Sequence, residues 1–121
     1  KDCYETLLKV WDENKMQMQE EFKVLLINQA NRVTGVYEAS SGGITGTVAD
    51  PRLILAAALK GLAVGIVLAH NHPSGNLKPS QADEQLTAKI KTAASYHDIR
   101  VIDHIIVTTD SYYSFMDEGL L

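Results

Sequence analysis

The alternation of apolar and polar positions divides the first third of the chain into a helix and two strands. Residues 4–18 carry apolar side chains at a loose helical spacing, which predicts a helix in the first part and gives a weaker signal after Asn14. Residues 22–27 form a short apolar run of strand length, and residues 32–38 form a second strand after a polar turn at 28–31. These two strands predict a β-hairpin.

The rest of the chain alternates helices with strands. Asp50 before Pro51 predicts a helix start, and its apolar face, which includes Leu53 and Leu62, is interrupted at Gly61. The run 63–69 is apolar on both faces, as is typical of a central strand that is covered on each side. Further predictions are loops at 40–46 and 73–79, a helix at 80–97, and strands at 100–108 and 112–115. The order α-β-β-α-β-α-β-β indicates an α/β fold with a mixed β-sheet between helices.

Length and composition indicate one domain. The chain has 121 residues, and the 45% that are hydrophobic are enough to fill one core. We therefore expect a single domain over residues 1–121, with a helical lead-in at 1–19 and a catalytic core at 20–121. Since the first residue is Lys1 and not methionine, we expect either a piece of a longer product or a short form.

Charge and cysteine content narrow the classes of partner. Lys and Arg total 11 against 15 Asp and Glu, and no basic run is present, so the sequence does not favour a duplex nucleic acid as partner. The single cysteine, Cys3, excludes an internal disulfide and a thiolate zinc site, so any metal must be held by nitrogen and oxygen ligands. No apolar run approaches the ~20 residues of a membrane span, and no signal-peptide core is found. We expect a cytoplasmic protein without membrane contact.

The strongest chemical signal lies at His70 and His72, directly after the apolar run 63–69. Two imidazoles two residues apart project from the same side of an extended backbone, so they can bind one ion together. Asp83, near the predicted helix start, supplies a third ligand of a kind that suits zinc. Three protein ligands leave a fourth position for water, which is the arrangement of a catalytic zinc site.

Ser80 and Asp83 also have a purely structural interpretation. Ser80 follows Pro79 at the predicted helix start, where a serine is an ordinary N-cap, and Asp83 is placed to complete a capping box. The local pattern alone favours this interpretation. Asp83 is nevertheless in the first turn of a helix that is entered directly from the histidine loop, so it can bind a metal and still favour the helix dipole.

A zinc-bound water needs a base to accept its proton, and a nearby carboxylate is the usual solution. Glu20, Glu21 and Glu38 are the upstream acidic residues that flank predicted strands. Periodicity does not choose between Glu20 and Glu21, because adjacent residues at a helix-to-strand junction point to opposite sides. Each of the three is also consistent with a solvated surface charge.

The sequence from His70 to Asp83 resembles a known motif. His70-x-His72-Pro73, six residues, then Ser80-x-x-Asp83, with an upstream glutamate, is similar to the motif of the JAMM (MPN-type) zinc metalloproteases. The sequence His-Asn-His-Pro-Ser-Gly at 70–75 and the segments at 103–107 and 114–119 resemble the bacterial RadC branch. The likeness covers about residues 20–121. Two departures are the lack of a helix-hairpin-helix region within residues 1–19 and a longer run of small residues at 40–47.

This resemblance implies a site and an activity. His70, His72 and Asp83 match the Zn²⁺ ligands, Ser80 matches the residue that helps to stabilise the oxyanion, and Glu20 best matches the general base, with Glu21 as the fallback. The implied fold is three-layered and similar to that of cytidine deaminases. The implied reaction is the hydrolysis of a peptide or isopeptide bond in a peptide or protein substrate.

Three other functions compete with hydrolysis. A DNA-repair role, with binding or cleavage of nucleic acid, is opposed by the acidic charge balance. A non-catalytic interaction module is opposed by the filled ligand positions, and a deaminase would require cysteine ligands. His104 is interpreted as part of a structural pair with Asp103, with contact to the metal site as the alternative.

Overall fold

One five-stranded sheet with helices on both faces builds the molecule. The computed structural model describes residues 2–41 and 49–121. Its elements are α1 (Asp2–Val10), α2 (Glu13–Met16), β1 (Glu21–Ile27), β2 (Val33–Ser41), α3 (Pro51–Lys60), β3 (Gly65–Asn71), α4 (Gln81–Ser95), β4 (Arg100–Val107) and β5 (Tyr112–Ser114). The strand order is β2-β1-β3-β4-β5, with β3 and β4 parallel and the other neighbours antiparallel. This confirms the predicted α/β fold with a mixed sheet.

Two apolar clusters fill the spaces above and below the sheet. On one face, α3 and α4 pack on β1 and β3 through Val24, Leu26, Ile54, Ala58, Ile66, Leu68, Ile90 and Ala94. On the other face, α1, α2 and the segment between them pack on the sheet through Leu7, Trp11, Met16, Leu25, Ile27, Val67, Ala69, Ile105 and Val107. The helical lead-in is therefore an integral part of the core.

The period of two in β1 and β3 determines which side chains meet each helical layer. All seven residues of β3 are buried, as the apolar run predicts for a central strand. Leu68 and then His70 face α3 and α4, whereas Ala69 and then Asn71 face α1 and α2. The last two residues of β3 thus direct one polar side chain to each face of the sheet.

The structure corrects several predicted boundaries. The first helix is interrupted after Val10, because Asp12 caps a separate helix by accepting a hydrogen bond from the backbone N–H of Asn14. Strand β2 continues to Ser41, so Ser40 is paired with Phe22 and does not lie in a loop, while residues 42–46 of the predicted loop lie outside the described residues. Leu53 and Leu62 are exposed, so the apolar face predicted for α3 was too wide.

Strand β3 has the predicted length of seven residues but is shifted by two residues from the predicted run 63–69. Its pairing with β4 extends through His70 and Asn71, two residues beyond the predicted end. His70 is therefore held by the sheet on both sides, since it also pairs with Phe22 of β1. Among the described residues, no helix is long and apolar enough to cross a bilayer.

Candidate metal centre

Three predicted metal ligands meet where β3 ends and α4 begins. The Nε2 atoms of His70 and His72 lie 2.9 Å apart, and Asp83 Oδ2 lies 3.4 Å from the first and 3.5 Å from the second. The His70 side chain is 2% exposed, whereas those of His72 and Asp83 are 17% and 18% exposed. The His70 corner of the triangle is therefore buried, and the edge between His72 and Asp83 is partly exposed to solvent.

The size of this triangle fits a small cation with nitrogen and oxygen ligands. Bonds of about 2.0–2.1 Å from zinc to imidazole or carboxylate place neighbouring ligand atoms of a tetrahedron roughly 3.3 Å apart. The three observed distances, 2.9, 3.4 and 3.5 Å, bracket this value. The residues present therefore fit the group that the sequence motif implies.

A tight turn orients the His72 ring. Gly75 has a φ of 83° and its N–H donates to the His72 carbonyl at 2.9 Å, which folds the chain back directly after Pro73. This turn brings the Asn76 carbonyl oxygen within 2.6 Å of His72 Nδ1. Because a carbonyl only accepts, Nδ1 carries the proton, and in the neutral ring the lone pair lies on Nε2, which faces the site.

Asp83 serves the helix and the site with the same side chain. Its Oδ2 accepts a hydrogen bond from the Ser80 N–H at 2.8 Å, and its own N–H donates to Ser80 Oγ at 3.0 Å, which completes the capping box. Burial disfavours the charged carboxylate, but the hydrogen bonds that His70 and His72 donate when they are protonated at Nε2 outweigh burial and hold the pKa of Asp83 well below its usual range. The same hydrogen bond favours the protonated ring of His72 and so raises its pKa.

The structure brings Glu20 to the histidines. Ligand atoms of Glu20, His70 and His72 all lie within 4.8 Å of one another. The sheet explains this placement: Phe22 pairs with His70 in the antiparallel register, so counting two residues outward sets Glu20 opposite His72. Glu21 begins β1 with its backbone N–H bonded to Asn71, and Glu38 forms an ion pair with Lys23 at 2.8 Å.

Asn71 is a residue that sequence reasoning did not single out. Its buried amide donates to the carbonyls of Met16 and Gln19 at 2.8 and 2.9 Å, and its oxygen accepts from the Glu21 N–H at 2.7 Å. These three bonds hold the backbone on both sides of Glu20. A polar residue between two candidate ligands in an apolar strand was the signal that was available in the sequence.

His104 and Thr87 lie behind His70. His70 Nδ1 is 2.8 Å from His104 Nε2, and His104 Nδ1 makes a short contact with Thr87 Oγ1. Phe115 stacks on the His104 ring with centroids 4.5 Å apart, and Phe22 lies parallel to His70 at 5.8 Å. Burial lowers the pKa of His104 well below its usual value, so this ring is neutral. Asp103 accepts hydrogen bonds from Ser114 Oγ and from the backbone N–H groups of His104 and Met116, so the predicted pair with His104 is formed through the backbone. The His104 ring itself contacts His70, which is the alternative that the sequence left open.

A cleft of about 320 Å³ opens beside the site at His72. It is lined on one side by the histidine loop and on the other by the turn between β4 and β5, with residues such as Ser74, Leu77, Thr108 and Ser111. Met16 and Gln17 also line it. The His72 corner of the triangle therefore adjoins a concave surface.

Comparison with known proteins gives consistent matches. A sequence profile described as "RadC-like JAB domain" matches residues 1–120. A UPF0758 protein of Flavobacterium johnsoniae is 52% identical over 101 residues, which cover 84% of this chain and 44% of the relative. UPF0758 proteins of Porphyromonas gingivalis and Lactococcus lactis are 48% and 45% identical, over 85% and 84% of this chain and 46% and 45% of the relatives. The chain thus spans less than half the length of these relatives.

Proposed function

Because the chain belongs to the family of RadC-like JAB domains, we propose that it is a zinc-dependent hydrolase of peptide or isopeptide bonds. The observation that carries the proposal is the convergence of His70 Nε2, His72 Nε2 and Asp83 Oδ2 within 3.5 Å of one another. Family membership supports a metal-dependent hydrolase at a coarse level. The zinc ion and the peptide substrate are our finer proposals.

In this proposal His70, His72 and Asp83 would hold the ion and leave a fourth position that faces solvent. Bound zinc would lower the pKa of a water molecule towards ~7 and polarise a substrate carbonyl. The well-lowered pKa of Asp83 keeps its carboxylate charged at neutral pH. His72 presents an unprotonated Nε2, because its Nδ1–H is held by Asn76.

Glu20 is the proposed general base. A Glu20 carboxylate oxygen lies within 4.8 Å of the ligand nitrogens of His70 and His72. The ligand atoms of His70, His72 and Asp83 lie closer together, within 3.5 Å of one another. This position suits a group that receives a proton from the attacking water and then delivers it to the leaving amine nitrogen. Asn71 would hold Glu20 in place through the flanking backbone.

Ser80 is the proposed hydrogen-bond donor to the negative charge that develops on the carbonyl oxygen. Its Oγ already accepts the Asp83 N–H, so the hydroxyl proton is free to turn towards a substrate oxygen. One preorganised donor of this kind contributes on the order of 10²- to 10³-fold in rate. The cleft beside His72 gives a peptide chain space to approach.

The first test combines metal analysis with a substitution of the base. We expect the purified chain to hold one zinc, and Glu20→Gln to retain that zinc and lose peptide hydrolysis by at least ~10²-fold, because the amide cannot accept the proton. Hydrolysis is measured by mass spectrometry on a proteome-derived peptide mixture supplemented with lysine-ε-linked isopeptides. Glu84→Gln, an exposed position in the same region, is the matched control and should keep both properties.

Two results would count against this assignment. Loss of zinc in Glu20→Gln would make Glu20 a ligand, and full activity in that variant together with an inactive Glu21→Gln would transfer the base to Glu21. A protein that binds no zinc, with the metal supplied in excess, would refute the hydrolase proposal as a whole.

A further inference from the structure

Behind the candidate metal ligands lies a continuous chain of hydrogen bonds. It begins at the Asp83 backbone carbonyl, passes through Thr87 Oγ1 and the two ring nitrogens of His104, and ends at His70 Nδ1. Thr87 and His104 are 2% and 0% exposed, so water does not compete for these groups. These hydrogen bonds connect α4, β4 and β3, which are three different elements of the fold.

The direction of each bond follows from the atom at its origin. A backbone carbonyl can only accept, so the single hydroxyl proton of Thr87 is donated to the Asp83 oxygen, at 2.7 Å. Thr87 Oγ1 must then accept from His104 Nδ1–H, since it has no second proton to give. A neutral imidazole carries one proton, which leaves His104 Nε2 as an acceptor. His70 Nδ1 therefore donates to it, at 2.8 Å.

We propose that Thr87 and His104 are positioning residues that fix His70 as the Nδ1–H tautomer and thereby direct its Nε2 lone pair into the metal site. This inference rests on the proposed function for the identity of the metal, and its geometry stands independently of the substrate. The reverse direction would set the Thr87 oxygen and the Asp83 carbonyl against each other as two acceptors. This series of hydrogen bonds, from the Asp83 carbonyl through Thr87 and His104 to His70 Nδ1, is called the relay. It begins at one proposed ligand residue, Asp83, and ends at another, His70.

The relay also explains the close approach of the two ligand rings. His72 Nε2 is unprotonated, because Nδ1–H is bonded to Asn76. If the relay likewise leaves His70 Nε2 unprotonated, two lone pairs face each other across 2.9 Å. Such an arrangement is unfavourable alone and favourable around a cation. Without the relay, His70 would satisfy the contact by donating Nε2–H to His72, and that proton would occupy the ligand position.

The aromatic packing prevents the rings from rotating out of this arrangement. Phe115 stacks on His104, and Phe22 contacts both imidazoles, parallel to His70 and edge-on to His104. A ring flip of His104 would place ring carbons where its two nitrogens lie and so break both hydrogen bonds. Partners that fix the tautomer of a ligand histidine typically contribute 10- to 100-fold to metal affinity.

Thr87 offers a matched pair of substitutions. Thr87→Val keeps the shape of the side chain and removes the hydroxyl, whereas Thr87→Ser keeps the hydroxyl. We expect Thr87→Val to raise the zinc dissociation constant about 10- to 100-fold. In Thr87→Ser the dissociation constant should stay near the wild-type value. Thr92→Val, an exposed position on the same helix, is the control and should bind zinc like the wild type. Affinity is measured by competition with a chromophoric chelator.

Nitrogen-15 NMR of the imidazoles gives a readout that a merely structural role would not move. In the zinc-free wild-type chain, at a pH where both ligand rings are neutral, we expect His70 to be protonated at Nδ1 and Thr87→Val to shift it towards Nε2–H. Wild-type His70 protonated at Nε2 would overturn the proposal, and this measurement decides it even if Thr87→Val does not fold. Equal zinc affinity in Thr87→Val and the wild type would also overturn it.

These measurements use no substrate. A chain that binds zinc with the expected tautomer but hydrolyses nothing would refute the proposed function and leave the relay standing. A hydrolase in which Thr87→Val changes neither affinity nor tautomer would do the reverse.

Discussion

At the scale of single residues, Asn71 shows how one buried amide can support a reacting group that it does not touch. The alternation of the sheet turns it away from His70 and His72, so it cannot join them in the site. It bonds instead to backbone groups at Met16, Gln19 and Glu21, and this segment carries Glu20. Its neighbours in the sequence, His70 and His72, are proposed metal ligands. Its hydrogen bonds hold the backbone that carries Glu20, the proposed base.

Asn71→Asp tests this interpretation with almost no change in shape. A carboxylate still accepts the Glu21 N–H but offers no proton to the two carbonyls, so buried acceptors would face one another. We expect the free energy of unfolding to fall by about 1–3 kcal/mol and peptide hydrolysis to fall with bound zinc retained. Denaturant titration and metal analysis measure the two effects. Asn28→Asp, where only an acceptor is used, should leave both unchanged, and a fully stable, active Asn71→Asp would contradict this role.

At the scale of elements, the sequence predicts helix starts, because neighbouring residues determine them. Asp50 caps α3 and Ser80 caps α4, as their positions before Pro51 and after Pro79 indicate. The predicted ends of β2 and β3 were wrong, because strand ends depend on pairing partners that are distant in the sequence. The interruption at Asp12 was missed because the apolar residues on either side, Trp11 and Met16, both reach the same core cluster.

Strand β1 contains a buried charge that makes one element sensitive to pH. The Lys23 ammonium lies among apolar residues, 5.2 Å from the centre of the Trp11 ring, and donates to the Val10 carbonyl and to Glu38. The hydrogen bond from Lys23 holds the pKa of Glu38 below its usual range. A lowered carboxylate pKa stabilises the folded state above the unfolded-state pKa, and this contribution is lost as the pH falls through the folded-state pKa.

We therefore expect Glu38→Gln to lower the free energy of unfolding at neutral pH by about 1 kcal/mol or less, since the glutamate is largely exposed. The difference from the wild type should shrink as the pH falls below the usual glutamate pKa of about 4.3. Denaturant titrations across this range measure it, with the exposed Glu118→Gln as control. A difference that stays constant with pH would mean that Glu38 acts through packing and not through charge.

At the scale of the whole molecule, the candidate site combines parts that the sequence shows unequally. His70, His72, Ser80 and Asp83 lie close together in the chain, so their spacing alone suggests a common site. Periodicity did not choose between Glu20 and Glu21; the family resemblance preferred Glu20, and the register between β1 and β3 gives the physical reason why Glu20 lies near His72. His104 contacts His70, and Thr87 contacts His104, because α4 and β4 pack beside β3. The sequence offered the contact of His104 with the metal site only as an alternative and gave no signal for Thr87. Short-range chemistry was therefore more predictable than the groups that orient it.

The same assembly predicts how metal removal affects stability. The proposed ligands come from β3, the following turn and α4, so a bound ion would tie these elements together in the folded state only. Zinc at 100 times its dissociation constant would add about 2.7 kcal/mol and raise the melting temperature of a chain of this size by on the order of 10 °C. Chelation should reverse the shift, and His72→Ala should abolish it. His97→Ala, which removes the exposed histidine near the end of α4, should show the full shift, so an equal loss in both variants would mean that zinc binds histidines unspecifically.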